Sequence, residues 1–132
     1  MMSLSSEPML LYPTRIDLPE EVRSYLVQML NLALAYSVDL RSQVKQAMWN
    51  TKGKEAAILQ NLLHTLGVEL EDYADSMAER IAVLGGIVMG TVRTAATCSL
   101  LPEYPDNLVN AQAHALMVTE RLAVYAKVIR GG

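Results

Sequence analysis

The sequence predicts an all-α domain built as an antiparallel bundle of long helices, on three observations. Leu, Ala, Val and eight Met dominate an apolar fraction of 52%, and there is no Phe, a palette suited to helix-on-helix packing rather than to a sheet. Apolar residues recur at three- and four-residue spacing along three long stretches, the signature of a helix with one buried face. Helix punctuation bounds those stretches, with proline and acids at a start and glycine at an end.

The first helix is expected to start at Asp17, a carboxylate N-cap, with Pro19 in the first turn and Glu20 and Glu21 at the positive dipole end. Val22, Leu26, Met29, Leu30, Ala33, Leu40, Val44 and Ala47 carry the pattern to Trp49, and Asn50 and Gly53 supply the stop. A helix of about 30 residues is roughly 45 Å long. The second segment runs from Glu55 to Leu84 and closes at Gly85-Gly86. Only Thr51 to Lys54 join the two, so they form an antiparallel hairpin. Gly67, inside the second helix, marks a bend or a close helix contact.

Between Ile87 and Asp106 the pattern changes. Thr91 to Ser99 fits a short helix, and Pro102 and Pro105 hold an extended link. Asp106 or Asn107 then caps a third long helix that ends at Arg130-Gly131-Gly132. Bundles of this kind pair two hairpins, so the expectation is a bundle without its fourth long helix, the one at the C-terminal side. The third should therefore present an uncovered apolar stripe. The organisation read from this is an N-terminal tail over 1–16 and one helical domain over 17–132.

The formal net charge of −3 gives no global attraction to DNA or to an anionic bilayer. The single Cys98 permits neither an internal disulfide nor a thiolate cluster and fits a reducing compartment. The N-terminus lacks the charged region and apolar run of a secretory signal. No apolar stretch reaches the about 18 to 20 uninterrupted residues of a membrane span.

The densest chemical feature is the acid cluster Glu69, Glu71, Asp72, Asp75 and Glu79. Like charges one turn apart repel unless something positive lies between them, and an iron or magnesium ion or a neighbouring Arg would relieve this. A solvated acidic face is the alternative. His64 shares a helix face with Asp75 but stands about 16 Å from it along the axis. One ion can therefore join them only across two chains related by a two-fold axis; otherwise His64, like His114, is a surface or boundary histidine. Cys98 reads as a small buried residue. The Glu-x-x-His pair of an intrasubunit di-iron site is absent, as are phosphate-binding and hydrolase motifs.

Gln43 to Lys54 (QVKQAMWNTKGK), Glu71 to Arg80 (EDYADSMAER), Leu84-Gly85-Gly86, Leu11 to Asp17 (LYPTRID) and Ser99 to Pro105 (SLLPEYP) resemble the Dps family of mini-ferritins, with W-N-x-K-G and A-E-R-x-x-x-L-G-G the more specific segments. The resemblance implies a ferritin-like four-helix subunit in a twelve-subunit shell, ferrous iron oxidation by peroxide or oxygen, ferric iron storage and protection from oxidative stress. In some members it also implies DNA binding, often through a Lys-rich tail; before the first helix this chain has only Arg15.

In that family two His and an Asp of one subunit meet an Asp and a Glu of its two-fold partner. Here the last two are Asp75 and Glu79, whereas Met48, Gln60 and His64 stand where the family has His, His and Asp. The implied metal ligands are thus His64, Asp75 and Glu79, for iron or, as an alternative, zinc, with no organic cofactor. Thioether and amide suit iron less well than imidazole. The expectation is a cytoplasmic homo-oligomer with a degraded ferroxidase site between subunits. A non-catalytic assembly protein of the same fold and a DNA-protecting protein are the alternatives.

Overall fold

The structure, a computed structural model, describes residues 11–131. Four helices follow one another: α1 (Glu20–Asn50), α2 (Ala56–Val83), α3 (Val92–Cys98) and α4 (Ala111–Ile129). Among the described residues there is no strand, and one parallel bridge pairs Lys52 with Asn110. The fold is all-α, as the sequence predicts. No described helix is long and apolar enough to cross a membrane.

α1 starts later than its Asp17 cap predicts. Pro19 takes the N-cap position, at φ −55 and ψ 149, without a side-chain cap. Proline pushes the residue before it out of the helical region, so Leu18 cannot continue a turn begun at Asp17. The Pro19 carbonyl instead accepts the first helical bond, from the Arg23 N–H at 3.0 Å. The start of α4 is displaced in the same way. Asn110, not Asp106 or Asn107, caps it, its Oδ1 accepting from the Ala113 N–H at 2.8 Å. The residues before it are held extended against the α1–α2 turn, where the Lys52 N–H donates to the Val109 carbonyl at 2.9 Å.

α1 is the central helix, packed against α2, α3 and α4, while α2 and α4 scarcely touch. Its Tyr36, Leu40, Val44 and Ala47 meet Leu63 and Leu70 of α2 and Val118 and Tyr125 of α4 in the main core. A second cluster joins Val27, Leu34 and Ile81, with Leu11 against it. The crossover after α2 is fastened by Asn31, fully buried in α1. Its Nδ2 donates to the Ile87 carbonyl at 3.0 Å, and its Oδ1 accepts from the Met89 N–H at 2.8 Å.

Of the expected N-terminal tail, residues 1–10 lie outside the described residues. Residues 11–16 are docked on the end of α2, where the Tyr12 N–H donates to the Gly85 carbonyl at 2.7 Å and the Thr14 hydroxyl to that of Val83. Ile58 and Leu62 of α2, which border a hollow with Ala111 and Ala115 of α4, and Leu116 of α4 are 66%, 64% and 67% exposed. This is the uncovered apolar stripe that the sequence predicts, shared between two helices.

Candidate metal and subunit-contact groove

Successive one-turn steps place His64, Val68, Glu71 and Asp75 along one flank of α2, and Val38, Arg41, Lys45 and Met48 along the facing flank of α1. Because the helices are antiparallel and packed at Gly67, whose Cβ position would lie 4.0 Å from Val44, these flanks border one groove. Its first half is lined by Arg41, Lys45, Met48, His64, Val68 and Glu71, around a hollow of about 120 Å³. Its second half runs past Leu34, Val38, Glu71, Asp75 and Val88.

The structure places His64 and Asp75 in opposite halves of this groove, both exposed. Glu79 lies one turn beyond Asp75, in a hollow with Leu26, Leu30 and Val83. Within the chain the three expected ligands are not brought together: among the described residues, no group of three His, Cys, Asp or Glu side chains is placed to hold a metal ion. Of the altered positions, Met48 and Gln60 meet at the His64 end. The Gln60 amide Nε2 donates to the Met48 backbone carbonyl at 3.2 Å, which turns its donor edge to the protein. Glu69 and Asp72 face solvent, so part of the acid cluster is the solvated face of the alternative reading.

Sequence reasoning missed the cations of the groove. Arg41 Nη2 lies 3.5 Å from Glu71 Oε1, which supplies the neighbouring Arg that the acid cluster called for, and Arg41 Nε is buried without a hydrogen-bond partner. Lys45 follows one turn along α1. That i, i+4 pair of cations on a helix facing an acidic one was the available signal.

A second polar assembly, also unread in the sequence, lies between α1, α4 and the Pro-rich link. Arg121, 3% exposed, donates from Nε to Gln43 Oε1 at 3.1 Å and from Nη2 to the Glu103 carbonyl at 3.1 Å. Gln43 in turn donates to Asp39 and to the Pro102 carbonyl, and Ser99 donates to Asp39 Oδ2 at 2.7 Å. His114, expected near the surface, is 1% exposed. Its ring stacks on Tyr104 at 5.7 Å between centroids, and its Nδ1 lies 2.6 Å from the Tyr104 hydroxyl. Burial pushes the Tyr104 phenol up to about 12, against the pull of Arg121. Cys98 is buried and free, as predicted. These groups hold the link onto the bundle and line no second cluster of ligands.

The Ferritin-like domain family matches residues 27–130. The DNA protection during starvation protein of Agrobacterium fabrum is 33% identical over 119 residues, which cover 90% of this chain and 74% of that protein. Among solved structures, DpsA14 from Streptomyces coelicolor superposes with a TM-score of 0.88 at 24% identity, covering 95% of this chain and 74% of the other. DpsC from the same organism gives 0.85 at 23% identity, covering 98% and 75%.

Proposed function

The chain belongs to the ferritin-like family, in its Dps branch of mini-ferritins, and from that premise we propose that it is a self-assembling protein of the cytoplasm that takes ferrous iron as cargo. The site of this reading lies between subunits, with His64 of one copy and Asp75 and Glu79 of a second as the donors. Storage of ferric iron and protection against oxidative damage are the roles it serves. The observation that carries the reading is the placement of His64 and Asp75 in opposite halves of one exposed groove. Two copies packed antiparallel there bring each histidine to the other's carboxylates.

One imidazole and two carboxylates are hard enough donors for Fe(II), and the electron given up on oxidation passes to peroxide or oxygen. The Met48 thioether is a poor substitute for imidazole, and the Gln60 donor edge is spent on a backbone carbonyl. Binding is therefore weak and turnover slow. Anaerobic Fe(II) titration followed by peroxide tests this: saturable binding that disappears in Asp75→Ala/Glu79→Ala is expected, and equal uptake by both proteins overturns it.

Arg41 and Lys45 in the same groove favour a second reading, an assembly protein whose iron chemistry has gone. It expects no saturable uptake by the wild type and an unchanged oligomer when Met48→His, Gln60→His and His64→Asp restore the family's ligand set. Dissociation of that variant counts against it.

A further inference from the structure

We propose that Met48 and His64 of one chain form a binding site for a soft monovalent cation, Cu(I). The site needs neither Asp75 and Glu79 nor a second subunit, and it stands whether or not iron binds.

Met48 of α1 and His64 of α2 line the same hollow, of about 120 Å³. That is room for an ion and a few waters, each of which takes about 30 Å³ in the liquid. The Gln60 amide sets the level of the two helices here by donating to the Met48 carbonyl at 3.2 Å. His64 follows Gln60 by one turn, about 6 Å along the axis. A methionine side chain, unbranched and freely rotating, adapts to an offset of that size. Met48 is half-buried against the main core, whereas His64 is exposed. One donor is thus anchored in the wall of the hollow, and the other faces the solvent from which an ion arrives.

The donor pair selects the metal. A thioether is a soft, neutral donor that favours Cu(I), and imidazole suits copper as well. Closed-shell Cu(I) accepts low coordination numbers, whereas hard divalent ions take a full set of oxygen ligands. Charge points the same way. Arg41 and Glu71 pair with each other at 3.5 Å, which leaves Lys45 as the one cation of the lining without an ion-pair partner among the described residues. Its repulsion is about twice as large for a divalent ion as for a monovalent one. The competing soft donor of the chain, the Cys98 thiol, is buried elsewhere, with Ala35 and Ala95. The same two residues that depart from the family's iron ligands therefore make a coherent pair for a different ion.

Ag(I), which takes the same donors without redox chemistry, is the probe, titrated as its nitrate in chloride-free buffer into the intact chain carrying Cys98→Ala. Calorimetry should show one equivalent bound, and in spectra of the methyl groups of the eight methionines a single signal should shift, the one missing from Met48→Leu. Met48→Leu and His64→Gln should each weaken binding at least about tenfold, the lower end of what even indirect support of a metal ligand is worth. Asp75→Ala/Glu79→Ala should leave it unchanged, and Cu(I) added without oxygen should move the same methyl signal. Circular dichroism checks that each variant folds, and the methyl spectrum of the Cys98→Ala chain decides if one does not. Ag(I) binding unaffected by Met48→Leu, shifts spread over several methionines, or a Met48 methyl that Cu(I) does not move overturns the proposal. Ag(I) binding without Fe(II) uptake overturns the iron reading alone; Fe(II) uptake without Ag(I) binding overturns this site alone.

Discussion

His114 shows how far burial can depart from what a residue's neighbours in sequence suggest. Flanked by Ala113 and Ala115, it reads as a surface histidine; Tyr104, brought over by the Pro-rich link, covers it. Burial lowers the ring's pKa from the ordinary 6.5, and the Leu108 carbonyl nearby offsets part of this without meeting hydrogen-bond geometry to Nε2. The sign follows from linkage. Below about pH 6.5 the unfolded chain takes up a proton that the native ring resists, so stability is level above that range and falls as pH drops through it. Urea midpoints between pH 7.5 and pH 5 should show the decline, and His114→Gln should flatten it; a flat wild-type profile contradicts the assignment. Arg121 is the second residue whose role only the fold reveals. Arg121→Met removes the donor to Gln43 Oε1 and the Glu103 carbonyl, and with both left unsatisfied the loss should be about 3 kcal/mol in urea unfolding.

At the scale of elements, two glycines on or beside α2 have opposite meanings. Gly67 reads from sequence as a bend or a close contact, and a Cβ there would meet Val44 at an ordinary 4.0 Å. Gly67→Ala should therefore gain helix propensity, about 0.5–1 kcal/mol, seen as a higher midpoint in thermal unfolding. Gly86 follows the helix, and its Cβ would come within 2.6 Å of both Val27 methyl groups and 3.1 Å of Ile81. Val27 is fully buried in α1 and cannot yield, so Gly86→Ala should cost about 1–3 kcal/mol by overpacking. The helices themselves were legible because apolar periodicity and glycine stops are local signals, and α2 begins and ends within a residue of the expected Glu55 and Leu84. The starts of α1 and α4 were not. Proline's effect on Leu18 and the pairing of Val109 with Lys52 compete with a cap that sequence spacing places several residues too early.

For the whole molecule, the short α1–α2 turn and the long crossover fixed the topology in advance, since few arrangements of three long helices satisfy both. Of the candidate site, the residues themselves pointed only to α2, and Met48 of α1 entered through the family resemblance alone. The acids and His64 share one helix, whereas Arg41 and Lys45 face them from another, and a charge balance between helices requires knowing which flanks meet. The same limit applies to the open side of the bundle, where Leu62 of α2 and Leu116 of α4 are about two-thirds exposed. Side chains with that much contact with water contribute little to folding in the isolated chain. Leu62→Gln/Leu116→Gln should thus change stability by less than about 1 kcal/mol, as surface substitutions do, while lowering the fluorescence of a dye that binds exposed apolar surface. Both readings belong in dilute protein, where association is weakest. A loss well above about 2 kcal/mol there would mean that the stripe is covered in solution, because only side chains removed from water carry a penalty of that size.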